Sequence, residues 1–213
     1  MADVDAARRR MVEEQIARRG VRDARVLAAA GRIPRHLFVP PGLEDRAYDD
    51  GPLGIGSAQT ISQPYMVAFM TEALELRGGE RTLEVGTGSG YQTAVLLELG
   101  AEVLSVEVLP ELSARARATL DAAGYAGRGR LIVGDGSKGV EAEAPFDRII
   151  VTAGSPAVPP SLEAQLGEGG VMVIPVGGEN EQQLLRLRRE RGRVTRENMC
   201  ACVFVKLRGA EGW

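Results

Sequence analysis

LEVGTGSGYQTA, residues 83–94, is the stretch on which the fold turns. An apolar run, RTLEV, stops at Gly86, and Gly88 and Gly90 follow at alternate positions. The chain then resumes as SGYQTAVLLELG, a segment of helical length closed by Gly100. Strand, glycine turn and helix in that order let backbone amides approach a ligand at the carboxyl end of a strand. The rhythm continues beyond it. EVLSVEV reads as a strand, and PELSARARATLDAAG as a helix with Pro110 near its start and Gly124 at its end. RLIVGD and FDRIIVTAG read as strands, PPSLEAQLGEGG as a helix with its terminator, and VMVIPVG as a strand. This alternation predicts an α/β fold with a Rossmann-like, mostly parallel central sheet and helices on both faces. The tail, EQQLLRLRRERGRVTRENMCACVFVKL, has strand-like runs joined by turns and predicts an antiparallel C-terminal edge.

Upstream of the turn, residues 4–31 read as helix broken at Gly20. The stretch from Pro34 to Gly56 is rich in proline and glycine and reads as loop, with LEDRAY as a short helical turn. A helix is expected from Gln63 to about Leu76, stopped by RGGE. The chain of 213 residues, 44% hydrophobic and 26% charged, fits one domain that buries its own core. Its expected parts are a helical and loop region (1–76), a cofactor-binding α/β core (77–178) and C-terminal antiparallel strands (179–213).

A net charge of −3 gives the molecule no general attraction to nucleic acid or a membrane surface. No apolar run reaches the roughly 20 residues of a membrane span. The charge-alternating start lacks the apolar centre of a signal peptide, so a cytoplasmic location is expected. Cys200 and Cys202 stand two apart on an expected strand, a poor disulfide spacing, and are expected as buried free thiols. The one histidine, His36 in IPRHLFVP, is expected on the surface at a helix-to-loop junction. Nucleophile–histidine pairs and histidine-containing metal sites therefore have little to draw on, and no metal is expected. The arginines from 186 to 196 fall at alternating positions, as on a solvated strand face.

Acidic residues recur where strands end. Glu84 lies just before the turn, Glu107 ends the second strand, and Asp135 ends the third in VGDG. Parallel strands present their carboxyl ends on one edge, so the three are expected to converge there. The third small residue of a dinucleotide fingerprint is replaced by Tyr91, and Glu84 would repel a pyrophosphate, which disfavours a dehydrogenase. A cationic amino-acid ligand with ribose and adenine fits better, with Glu107 on the ribose hydroxyls and Asp135 on the adenine amino group. That ligand is S-adenosylmethionine. The place after the fourth strand reads VTAGSP, without the Asn/Asp-Pro-Pro-aromatic motif of base amino-methylation and without a nearby cysteine for pyrimidine C5 chemistry.

Ahead of the core, IGSAQTISQPYMVAFM (55–70) sets Gln59, Thr60 and Ser62 before a helix. From these residues alone, Ser62 is either the cap of the helix that starts near Pro64 or a site residue.

QTISQPYMVA, LEVGTGSGYQTA, GDG and APFDRIIVTAGSPAVPPSLEAQLGEGGVMVIPVG together resemble the protein-L-isoaspartate (D-aspartate) O-methyltransferase family, over nearly the whole chain. The resemblance implies a cytoplasmic, monomeric S-adenosylmethionine-dependent methyltransferase acting on the free α-carboxylate of isoaspartyl residues in damaged proteins. It places the cofactor on the glycine turn (Gly86, Gly88, Ser89, Gly90), Glu107, Asp135 and Gly136; from its charge at the strand end, Glu84 is expected to join them. It makes Ser62 the active-site hydroxyl, with Thr60 beside it on the substrate, and residues 55–60 a cover over the cofactor. Ala58, Gly54 and Lys206 depart from the family's usual residues on the substrate side. A methyltransferase of another small molecule or RNA, and a non-catalytic S-adenosylmethionine-binding module, are the alternatives.

Overall fold

Residues 4–213 are described by the computed structural model; the first three positions of the expected N-terminal region lie outside the described residues. Helix α1 (Val4–Arg10) continues through a π-helical turn (Met11–Ile16) and a 3-10 turn (Ala17–Arg19) to Gly20, as expected. Asp23 then caps α2 (Ala24–Arg32) by accepting from the amides of Arg25 and Val26. Short 3-10 turns follow at Arg35–Phe38 and Glu44–Arg46, the latter within LEDRAY.

The loop-rich stretch holds an element that its composition hides. Strands β1 (Leu53–Gly56) and β2 (Gln59–Ile61) pair antiparallel as a small hairpin, with Ser57 and Ala58 at its tip in left-handed conformation. Helix α3 (Pro64–Ala73) follows and stops earlier than Leu76.

The core then alternates β3 (Arg81–Val85), α4 (Tyr91–Glu98), β4 (Glu102–Glu107), α5 (Pro110–Leu120), β5 (Arg130–Val133) and β6 (Phe146–Val151). Helix α6 (Pro160–Gln165) has only six residues, and LGEGG is not its terminator. Leu166 already pairs with Phe146, so β7 (Leu166–Gly177) begins there, with a register shift before Arg148 pairs with Val171. Strands β8 (Gln182–Glu190) and β9 (Arg193–Cys202) complete the chain's sheet.

The sheet order is β5-β4-β3-β6-β7-β8-β9. The first five strands run parallel, and β8 and β9 add antiparallel. This is the S-adenosylmethionine methyltransferase-like α/β architecture expected, with the antiparallel edge in the expected place. Strand parity sorts the two faces. Leu83, Val85, Leu104, Val106, Ile149 and Met172 pack on one side, where Leu162 of α6 joins them. Ile150 and Val173 face the opposite side and share a core with α2, α3 and α4.

Cys200 and Cys202 are free and half-buried rather than buried, both packed against the larger core. Arg186 and Arg188 both reach Glu75, so the alternating arginines lie on a face laced with ion pairs.

Ile149 is fully buried in the middle of the sheet, between Leu83 and Met172. Ile149→Ala is expected to cost about 2–5 kcal/mol of folding stability. Urea unfolding measures it, and a loss below about 1 kcal/mol would mean that the site collapses around the smaller side chain.

Candidate functional site

The glycine turn leaves β3 at Gly86 and enters α4 at Gly90. A methyl group added at Gly86, where φ is 96°, would stand 2.4 Å from Thr152 Oγ1, and that hydroxyl donates to the Gly86 carbonyl at 2.6 Å. The turn and the end of β6 are therefore in direct contact, and only glycine fits. Gly90 has another reason to be glycine: a Cβ there would press on Ala116 and Leu120 of α5 at 3.3 Å.

A cavity opens above the carboxyl ends of the strands. Gly86, Gly88, Ser89, Glu107 and Gly136 line it, together with Thr60 and Ser62. Of the expected cofactor residues, Glu84, Gly90 and Asp135 are absent from this wall. Ser89 also accepts from the amide of Tyr91 at the start of α4.

The register explains the acids. Glu84 pairs level with Ser105, so Glu107 stands two residues further along and clears the sheet. Its Oε2 accepts from the Gly88 amide at 2.8 Å and its Oε1 from the Leu109 amide at 3.0 Å. Glu84 lies two residues deeper, under α4, and is fully buried. Thr93 of α4 donates to its Oε2 at 2.6 Å, while Oε1 has no partner. Burial pushes the Glu84 carboxyl up to about 7, against the lowering effect of the Thr93 hydroxyl. The expected rim of three carboxylates is thus corrected. A strand side chain points above or below the sheet, and only a residue at or past the strand's end reaches over it.

Asp135 is committed elsewhere. Its Oδ1 accepts from the Ser137 amide and hydroxyl, at 3.0 and 2.6 Å, and its Oδ2 from the Ala210 amide at 2.8 Å. Burial alone would raise its pKa; the hydrogen bonds from Ala210 and Ser137 outweigh it and hold the carboxyl below its ordinary value. The C-terminal segment therefore docks on the VGDG turn, while Gly136 next door stays on the cavity wall.

That segment is part of the site, which local sequence did not show. Val205, Lys206, Leu207 and Arg208 line the cavity. They are seated by long-range pairing: the Gly154 amide donates to the Val205 carbonyl at 2.7 Å, and the Leu207 amide to the Gly154 carbonyl at 2.8 Å. Lys206 pairs with Glu179 at 2.6 Å.

Ser62 is not a helix cap. The cap position of α3 is Gln63, with no side-chain cap hydrogen bond. The Ser62 hydroxyl has no hydrogen bond among the described residues, and its carbonyl accepts from Arg35 Nη2 at 2.7 Å. The hairpin that brings Thr60 to the cavity is held from α5, where Arg115 donates to the Ile55 carbonyl at 2.7 Å and Glu111 accepts from Ser57. His36 is half-buried rather than on the surface, bonded through Nδ1 to the Tyr48 hydroxyl at 2.7 Å, and does not line the cavity.

The family model described as protein-L-isoaspartate(D-aspartate) O-methyltransferase matches residues 6–212. The chain belongs to this family. A protein-L-isoaspartate O-methyltransferase of Methanoculleus marisnigri is 54% identical over 97% of the chain and 93% of its own length. Protein-L-isoaspartate O-methyltransferase 2 of Geotalea uraniireducens is 52% identical over 100% of the chain and 98% of its own. A solved protein-L-isoaspartate O-methyltransferase superposes with a TM-score of 0.85 at 27% identity, over 96% of this chain and 67% of that one. A Plasmodium falciparum structure in complex with S-adenosyl-L-homocysteine shares the fold, with a TM-score of 0.82 at 24% identity over 94% and 98% of the two chains.

Within this protein-L-isoaspartate O-methyltransferase fold, Glu84 carries a measurable signature. Its folded pKa, about 7, exceeds the unfolded value near 4.3. The folded form thus holds a proton that the unfolded chain has released, and stability from this group is lost as pH rises from about 4.5 to 7, at up to about 1.4 kcal/mol per unit. Glu84→Gln keeps the acceptor for Thr93 and removes the titration. Urea unfolding of both proteins between pH 5 and 7.5 is expected to show the variant gaining on wild type as pH rises; a constant difference would place the Glu84 pKa at its ordinary value.

Proposed function

We infer that the protein transfers a methyl group from S-adenosyl-L-methionine to the free α-carboxylate of L-isoaspartyl residues in damaged proteins and peptides. The carrying observation is the cavity that runs from the glycine turn and Glu107 to Ser62, in a chain matched by the family from residue 6 to 212.

The residues present fit the cofactor. Glu107 has spent one lone pair of each oxygen on a backbone amide, and as an acceptor-only group it keeps the others for ribose hydroxyls. The Gly86–Ser89 backbone would lie along the amino-acid part, and Gly136 beside the adenine. Asp135 would receive the adenine amino group only through the free lone pair of Oδ2. Glu84 and Gly90 act from behind the wall, by supporting α4 and its packing on α5. When bound, S-adenosylmethionine supplies an activated methyl group on a sulfonium leaving group.

The acceptor side needs placement more than proton transfer. A carboxylate is ionised near neutral pH, so no strong general base is required. Ser62 offers a hydroxyl without a competing partner, which can hold the carboxylate without the tight ion pair that an arginine would form in the ground state. Thr60 stands on the same wall. We also propose that the whole chain is a single methyltransferase domain working as a cytoplasmic monomer on protein substrates, without nucleic acid. Supporting this, no helix among the described residues is long and apolar enough to cross a membrane, and the net charge is negative.

The test of the activity is methyl transfer to an isoaspartyl peptide against its aspartyl twin. Labelling of the isoaspartyl peptide alone is expected; equal labelling would point to another acceptor, and cofactor binding without any product to a binding module. Glu107→Ala is expected to weaken the cofactor by about 1.5–3 kcal/mol, the scale of charge-assisted hydrogen bonds. Calorimetric titration with S-adenosylhomocysteine checks it, and an unchanged Kd would remove Glu107 from the ribose.

A further inference from the structure

Arg35, in IPRHLFVP, is 0% exposed. A buried cation is costly to desolvate, and it is retained only where its contacts repay that cost. Here the contacts are unusual for a charge. No ion pair to Arg35 exists among the described residues, and its Nη1 is buried without a partner. Its guanidinium carbon sits 4.7 Å from the centre of the Tyr91 ring, itself buried and on the cavity wall. Its Nε donates to the Ala47 carbonyl and its Nη2 to the Ser62 carbonyl, both at 2.7 Å.

Ala47 precedes the β1–β2 hairpin and Ser62 follows it. One guanidinium plane therefore clamps the two ends of the segment that carries Thr60 and Ser62 to the cavity. The Ser62 hydroxyl has no hydrogen bond of its own among the described residues, so its direction is set by the backbone, and the backbone is held through its carbonyl by Arg35. A fold that needed only filled space here would do as well with an apolar side chain.

We propose that Arg35 is the positioning residue of the acceptor site, aiming the Ser62 hydroxyl at the acceptor carboxylate through the Ser62 carbonyl. This rests on Ser62 being the residue that meets the carboxylate. A lysine keeps the charge but offers one compact ammonium, which cannot span two carbonyls while stacking on Tyr91.

The experiment compares wild type, R35K, S62A and the double variant, reading kcat and KM for an isoaspartyl peptide, Kd for S-adenosylhomocysteine and Tm. R35K is expected to lower kcat about 10- to 100-fold, the scale of a misplacement near 1 Å. Its Kd for S-adenosylhomocysteine is expected to stay within about twofold, because the clamp lies on the acceptor side. In the S62A background R35K is expected to cost little more, because the two act as one unit. If R35K lowers kcat by the same factor with and without Ser62, or lowers only Tm, Arg35 is a structural residue and the proposal fails while the Ser62 role stands. If S62A alone turns over at the wild-type rate, the Ser62 role fails and this proposal with it. Should R35K not fold, R35Q keeps a planar donor without the charge and is expected to give the same split between kcat and Kd.

Discussion

Two backbone amides, those of Gly88 and Leu109, end on one carboxylate, Glu107. This contact fixes the turn after β3 to the loop after β4, and with it the floor of the cavity. A carboxylate is the suitable group for the position. It accepts from both loops at once, its charge strengthens each bond, and it retains lone pairs for a ligand. Buried to 5% exposure, it would be costly without those donors. Thr152, bonded to the Gly86 carbonyl, ties the third strand end to the same turn. The chemistry of the site thus depends on a junction of three adjacent parallel strands that no single segment could form alone.

The alternation of strands and helices was legible because each element carries its own period, and GxGxG was legible because three alternate glycines after an apolar run have few other uses. Glu107 lines the cavity and Glu84 does not. Both are acids near strand ends, but Glu84, level with Ser105, sits two positions short of Glu107 along the sheet, and that distance separates the cavity wall from the core. Asp135 was read as free because its partner amide, Ala210, is far along the chain. The β1–β2 hairpin was not legible because strands of four and three residues are too short for a periodic signal to stand out among the surrounding prolines and glycines. Of the C-terminal wall residues the resemblance singled out only Lys206, and Arg208 gave no local signal, since the segment's place comes from pairing with Gly154. Arg35 gave no signal at all: nothing local in IPRHLFVP says that its arginine is buried.

These placements change the electrostatic picture of the cavity. With the Glu84 carboxyl pushed up to about 7 by burial and sealed under α4, and Asp135 bound to the C-terminal segment, the carboxylate on the cavity wall is that of Glu107. The C-terminal segment brings Lys206, which is paired with Glu179, and Arg208 to the same cavity.

Methyl transfer to a carboxylate is a reaction in which charge disappears. An anionic carboxylate and a cationic methyl donor give a neutral ester and a neutral thioether, so the charges fade as the bond forms. Surroundings that solvated either ion strongly would favour the starting state and raise the barrier. Val67, Met70, Val85 and Val106 also line the cavity, and these side chains solvate neither. Against this apolar background, the Ser62 hydroxyl in the role proposed above would orient the carboxylate without quenching it. The nearest buried cation, Arg35, has its charge spread over carbonyls and an aromatic face instead of being offered to the substrate. Withholding strong charge from the reacting atoms, while fixing their directions through backbone contacts, is the arrangement by which orientation supplies most of the catalysis.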